Sequence, residues 1–437
     1  MPDRSRTLIS GGTVVAADGS RRLDVLVEGE RIAAVGPRLD AVGAPRWDAS
    51  GLVILPGLID AHVHVREPGA TAKEDWESAS RAALAGGVTT ILDMPNNDPP
   101  TIDAGRVREK LDLAKRSSVC DFGVYLGATA SNVGLAARLS KEIVGLKIYL
   151  GSTTGSLLLD DWRLLYEHLR ATPATMPVVV HAEDEECLKV FAGSSVDDHD
   201  RNRPGLCAEL AVAHIIAAAR AAGRGAHVAH VSTPAELRAI AAARAVVPDL
   251  TCEVCPHHLF LTADDAARLG GWGKVNPPLR PAADVLDLWT ELGTVDLVAT
   301  DHAPHTLQEK GQSFADAPSG FPGLETMLSL LLLGVKHGRV GLPRVASLTS
   351  AGPARLFRLQ GKGVLAAGYD ADIVAVDPAA QWQVEGHRLQ TKSRWSPFDG
   401  WRLPGRPVSV WRRGEHVVDA GQVRASPGSG RPVARRS

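Results

Sequence analysis

The segment His62-Val63-His64-Val65-Arg66 sets two imidazoles and a guanidinium at alternate positions. In an extended strand alternate side chains share a face, so these three groups point one way while Val63 and Val65 point the other. Two imidazoles on one inward face can share a metal ion, and a guanidinium beside them can grip a carboxylate through two parallel N–H bonds. An HxH pair alone is weak evidence, because half-buried histidines satisfied by hydrogen bonds are commoner than ligands. Its weight comes from company. Lys147 lies in Val144-Gly145-Leu146-Lys147-Ile148-Tyr149, and His181, His230 and Asp301 follow Val178-Val179-Val180, Val228-Ala229 and Val298-Ala299-Thr300. Each closes an apolar run, and chance placement of all four at strand ends is a poor explanation.

Lys147 needs its own argument, since an ammonium among metal ions is repelled and has no lone pair to donate. It must be neutral, elsewhere or modified. Reaction with CO₂ turns the amine into an anionic carbamate whose two oxygens can bridge two metals. A solvated lysine and a Schiff-base lysine are the rival readings. Neither accounts for the metal-type side chains around it.

The elements that must position these groups are legible as a repeating pattern. Apolar runs at 58–65, 88–94, 121–126, 144–150, 178–181, 227–231, 250–254 and 296–300 alternate with Ala- and Leu-rich helical stretches. Eight strands alternating with helices across residues 55–357 predict an α/β fold, a (β/α)₈ TIM-like barrel, with a doubly wound sheet as the runner-up. In such a barrel the C-terminal strand ends form the site, which is where the histidines, Lys147 and Asp301 fall. Residues 1–54 instead show short β-branched runs between glycines, and the same texture returns in 358–423. Both termini are therefore expected to build one composite domain of antiparallel sheet. The last segment, 424–437, is rich in Pro, Gly, Ser and Arg with little apolar content, which predicts disorder.

Charge and composition narrow the partners. The 437 residues carry 48 Lys plus Arg against 50 Asp plus Glu, a formal net charge of −2, with 44% hydrophobic residues. A nucleic-acid binder would need a cationic excess, so a small-molecule substrate is expected instead. The start of the chain has no apolar signal core, and the leucine run 328–333 is far too short to span a membrane, so a cytoplasmic protein is expected. Five cysteines argue against a secreted disulfide framework, and the CxxC of Cys252 and Cys255 lies in an apolar run that reads as core.

The stretch Leu55-Pro56-Gly57-Leu58-Ile59-Asp60-Ala61-His62-Val63-His64, the later Lys, His, His and Asp, and the closing Gly368-Tyr369-Asp370-Ala371-Asp372-Ile373-Val374 resemble the cyclic amidases of the amidohydrolase superfamily. The resemblance covers nearly the whole chain, and it implies that the terminal segments 1–54 and 358–423 form that superfamily's small β-sandwich. It implies two Zn²⁺ per chain bridged by carbamylated Lys147 and a hydroxide. His62, His64 and Asp301 would hold the more buried ion, His181 and His230 the other, and Asp301 would also carry the catalytic proton.

Among these amidases, Arg66, Asn96 in Met94-Pro95-Asn96-Asn97, and His305 in His302-Ala303-Pro304-His305 resemble the carboxylate-holding trio of the dihydroorotase family. That likeness implies substrate contacts also at Asn276 and near Gly320. It implies as well interconversion of N-carbamoyl-L-aspartate and L-dihydroorotate in pyrimidine synthesis, a homo-oligomer, and association with aspartate transcarbamoylase. The alternatives are an allantoinase or hydantoinase acting on an uncharged cyclic ureide, and a non-catalytic scaffolding homologue. His257 and His258 read as structural, and Gly151-Ser152-Thr153-Thr154-Gly155 suits either a loop that closes over substrate or a plain turn.

Overall fold

The computed structural model describes residues 6–16, 18–193 and 198–436. Eight parallel strands form the centre: β1 (Leu58–Val63), β2 (Val88–Asp93), β3 (Asp121–Gly127), β4 (Gly145–Tyr149), β5 (Val178–His181), β6 (His227–Val228), β7 (Thr251–Val254) and β8 (Leu297–Val298). They pair in chain order, and a parallel bridge between Val63 and His302 brings the end of the series back to β1, so the barrel is nearly closed. Each strand is two-sided. Leu146, Ile148, Val178, Val180, Cys252 and Val254 pack outward against helices, while Leu92, Tyr125, Val179, Ala229, Leu297 and Ala299 form a separate inner cluster.

Several strands end where the chemistry begins. The apolar runs at 227–231 and 296–300 suggest longer strands than the two-residue β6 and β8. His230 (φ 35°) and Asp301 (φ 47°) adopt left-handed backbone conformations, which break the extended ladder just beyond these strands. Arg66 (φ 67°) does the same beyond β1. A register shift between Asp60 and Val63 in the β1–β2 pairing lets the neighbours Ala61 and His62 both serve the interior. Simple alternation therefore describes 62–65 but not the whole strand.

Strands from both termini form a separate nine-stranded sheet. Its join is Val53–Pro56, which pairs antiparallel with Ile373–Val376, Leu55 opposite Val374. Only Gly57 separates this strand from β1, and a Cβ there would stand 2.3 Å from Thr89 Oγ1. The crossing from sheet to barrel thus needs glycine for space. The stretch His199–Ala222 is long and apolar enough to cross a bilayer, but Ala211, Val212, Ile215, Ala218 and Ala219 lie in the main core of the barrel wall. Cys187 and Cys207 form a disulfide; Cys120, Cys252 and Cys255 are free and buried.

The expectation of a disordered tail is corrected. Residues 424–436 run beneath the start of β3, where Phe122 N donates to Arg431 O and Val433 N to Phe122 O. Arg431 pairs with Glu30 at 2.7 Å, and its amide donates to Asp121 Oδ1. Apolar content misleads here because backbone pairing and ion pairs, with packing only from a few side chains such as Ala425 and Val433, order the segment. Deleting 424–437 is expected to lower the melting temperature by about 2–5 °C in calorimetry, since several hydrogen bonds each contribute roughly 1 kcal/mol. Unchanged melting would show that the tail's contacts add nothing to stability.

Candidate active site

The six candidate metal-binding residues converge at the C-terminal mouth of the barrel. His62 and His64 rise from β1, Lys147 from β4, His181 from β5, and His230 and Asp301 stand just past β6 and β8. All six are buried. Asp301 Oδ1 lies 3.0 Å from His64 Nε2 and 3.4 Å from His62 Nε2, and Lys147 Nζ lies 3.5 Å from the same His62 nitrogen. On the other side His181 Nδ1 faces His230 Nε2 at 2.9 Å. Two donors on one tetrahedral zinc, each ~2.05 Å away, stand about 3.3 Å apart. The observed separations therefore suit ligand atoms around an ion.

The outer ring nitrogens decide which inner ones carry lone pairs. His62 Nδ1 is bonded to Glu253 Oε1, and Glu253 Oε2 is 3.0 Å from His227 Nε2. Asn96 Nδ2 donates to Thr154 O, so its Oδ1 is the acceptor for His64 Nδ1 at 2.7 Å. His181 Nε2 lies 3.1 Å from Glu183 Oε2, a carboxylate also gripped by Arg203. With protons on these outer atoms, the neutral rings present lone pairs inward, as metal ligation requires. Burial favours neutrality: it lowers His64 to about 3 against the pull of Asp301, with Arg66 adding to the effect, and takes His230 well below the ordinary histidine range. Burial also brings Lys147 down to about 8, which puts the neutral amine needed for reaction with CO₂ within reach. Burial pushes the Asp301 carboxyl up, but His62, His64 and His230 outweigh it and hold the group well below the carboxylate range.

The expected substrate contacts divide. Arg66, Asn96, Asn276 and Gly320 line the cavity above the metal-type cluster. Asn276 Oδ1 is engaged by His199 Nε2 at 2.7 Å, and both polar atoms of Asn96 are taken by His64 and Thr154. His305 lies outside the cavity lining, its Nε2 3.0 Å from Ser319 O, behind Arg66. Gly320 (φ 143°) is required at its place, because a Cβ would meet Ala303 O at 2.4 Å. The cavity holds only about 20 Å³, and Thr153 and Thr154 separate it from an outer cavity of about 670 Å³. His257 and His258 are buried beside Phe321 and Pro277.

Three groups escape the sequence reading. Glu253 and Glu183 were visible as carboxylates inside or just after apolar strands, a placement that burial tolerates only with partners. Tyr149, two residues past Lys147 on the same strand face, lines the cavity with a buried hydroxyl that has no hydrogen-bond partner among the described residues.

A model of the amidohydrolase family matches residues 53–417. The chain belongs to the amidohydrolase family. Over 420 residues it is 41% identical to a dihydroorotase of Halobacterium salinarum, covering 95% of this chain and 97% of that one. An allantoinase of Rubrobacter xylanophilus is 38% identical, with 96% of each chain covered. Among solved structures, the L-hydantoinase (dihydropyrimidinase) from Arthrobacter aurescens superposes with a TM-score of 0.94 at 30% identity, covering 98% of this chain and 99% of that one. This amidohydrolase is a hydrolase whose site residues fit a metal ion on geometric grounds.

Glu253→Gln keeps the shape of the side chain but removes the charge that holds His62. It is expected to weaken retention of divalent metal by roughly 10–100-fold in a chelator competition titration. Wild-type retention in the variant would show that the Glu253 charge adds nothing to metal binding.

Proposed function

We propose that this amidohydrolase is a dihydroorotase, interconverting N-carbamoyl-L-aspartate and L-dihydroorotate by closing and opening a cyclic amide in pyrimidine synthesis. The observation that carries the reading is Arg66. Its side chain is 6% exposed, its Nε donates to Pro304 O, and no carboxylate among the described residues stands within ion-pair distance. A buried, unpaired cation is costly unless a ligand supplies the anion. Dihydroorotate carries such a carboxylate; allantoin and hydantoins do not.

His62, His64 and Asp301 would hold one zinc ion, His181 and His230 a second, and carbamylated Lys147 both. When bound, the two ions supply an acidified water as nucleophile and Lewis-acid polarisation of the ring carbonyl. The chain's own residues do the rest. Arg66 fixes the substrate carboxylate and so orients the ring amide toward Asp301. Asp301, with Oδ1 turned to the histidines, uses Oδ2 to take the proton of the attacking water and pass it to the departing ring nitrogen. In synthesis the protonated Asp301 assists loss of water. Small cavity volume and burial exclude bulk solvent from both directions.

A second reading, hydrolysis of an uncharged cyclic ureide, is favoured by the likeness to allantoinase and hydantoinase and disfavoured by Arg66. Steady-state assays on dihydroorotate, allantoin and hydantoin separate the two. Arg66→Met is expected to lower kcat/KM for dihydroorotate by roughly a hundredfold or more with unchanged metal content. Equal dihydroorotate kinetics in variant and wild type would overturn the carboxylate assignment.

Purified protein is expected to hold about two zinc ions per chain. Lys147→Ala is expected to abolish activity, and added small carboxylic acids to restore part of it by supplying the missing bridge. An enzyme fully active after Lys147→Ala would dismiss the carbamate.

A further inference from the structure

His305 is buried beside Arg66, and both of its ring nitrogens have defined neighbours. Lys73 Nζ lies 3.2 Å from Nδ1, while Ser319 O lies 3.0 Å and Arg66 Nη2 3.4 Å from Nε2. An ammonium has no lone pair, so Nδ1 must accept from Lys73, and the single proton of a neutral ring then sits on Nε2. Arg66 Nη2 is also a donor. The 3.4 Å contact is therefore no hydrogen bond but two N–H donors brought side by side. An anionic oxygen in front of them satisfies both, and the Ser319 carbonyl is the acceptor that serves one of them now.

Lys73 does not line the cavity; it is 22% exposed and is held at 2.8 Å by Glu309. The groups facing His305 are Arg66, Lys73, Lys310, Glu309 and the Ser319 carbonyl. Of these, only Glu309 favours a proton on Nδ1, and its Oε2 stands 3.9 Å away. Without Lys73 the ring is free to turn its proton toward Glu309. A lone pair would then face the place where a carboxylate oxygen belongs.

We propose that Lys73 is a positioning residue for carboxylate recognition, donating to His305 Nδ1 and so holding His305 as an Nε2–H donor alongside Arg66. The inference rests on the dihydroorotase reading for the identity of the anion. Its test uses metal-loaded wild type, Lys73→Met and Lys73→Arg on dihydroorotate and on dihydrouracil, the same ring without the carboxylate. Dihydrouracil is followed by turnover or as a competing inhibitor. Lys73→Met is expected to raise KM for dihydroorotate about tenfold, with little change in kcat and none for dihydrouracil. Lys73→Arg, which retains a donor, recovers part of the loss. Side-chain ¹⁵N spectra, with His305 assigned by His305→Gln, show protonated Nε2 in wild type and a tautomer mixture in Lys73→Met. Equal losses on both rings, or an unaltered KM and tautomer, overturn the proposal. Wild type without dihydroorotate activity overturns the dihydroorotase reading instead, while the spectra still decide the role of Lys73.

Discussion

The Glu253 carboxylate is the contact on which the mouth of the barrel depends. It accepts from the rings of His62 and His227, and the His230 amide donates to it at 3.3 Å. One buried anion thereby ties β1, β6 and β7 together and turns His62 Nε2 inward. Burial alone would push this carboxyl up; the neighbouring His62 and His227 bring it far below the carboxylate range. The charge survives burial because its lone pairs are used. Asn96 on His64 repeats the device with an amide oxygen, Glu183 stands 3.1 Å behind His181, and His230 has no acceptor behind it among the described residues.

Orientation is also bought with backbone strain. Arg66, His230 and Asp301 all have positive φ, a conformation that costs a non-glycine residue on the order of 1–2 kcal/mol. Each stands two or three residues beyond a strand of the barrel. Continued as extended chain, these segments would carry their side chains upward along the strand direction. The left-handed turn aims them across the mouth instead, and the surrounding barrel supplies the packing that tolerates it.

That division explains what could be read beforehand. The barrel and the six converging side chains were legible because apolar runs and strand-end polar residues are local patterns. Glu253 and Glu183 went unread because their meaning lies in partners, His62 and Arg203, that are remote in sequence or set by an irregular loop. The order of 424–436 was illegible for the same reason: Phe122, Asp121 and Glu30 are roughly 300 to 400 residues away, and nothing in the tail's own composition announces them. His305 was expected at the substrate, and the neighbours that set its ring, Lys73 and Ser319, could not be read from its own segment.

Asn96 shows how the loop and the metal-type cluster are joined. Its Oδ1 holds His64, and its Nδ2 is spent on the Thr154 carbonyl, while the Thr154 hydroxyl donates to Ser319 O at 3.3 Å. The Asn96 amide keeps a second N–H beyond the one given to Thr154, whereas His305 Nε2 has the Ser319 carbonyl against it. The cavity beneath them has room for about one water, and Thr153 and Thr154 of the 151–155 segment line both it and the outer cavity of about 670 Å³. The carbonyls of Thr154 and Ser319 thus serve as acceptors for Asn96 and His305, two donors beside the metal-type cluster.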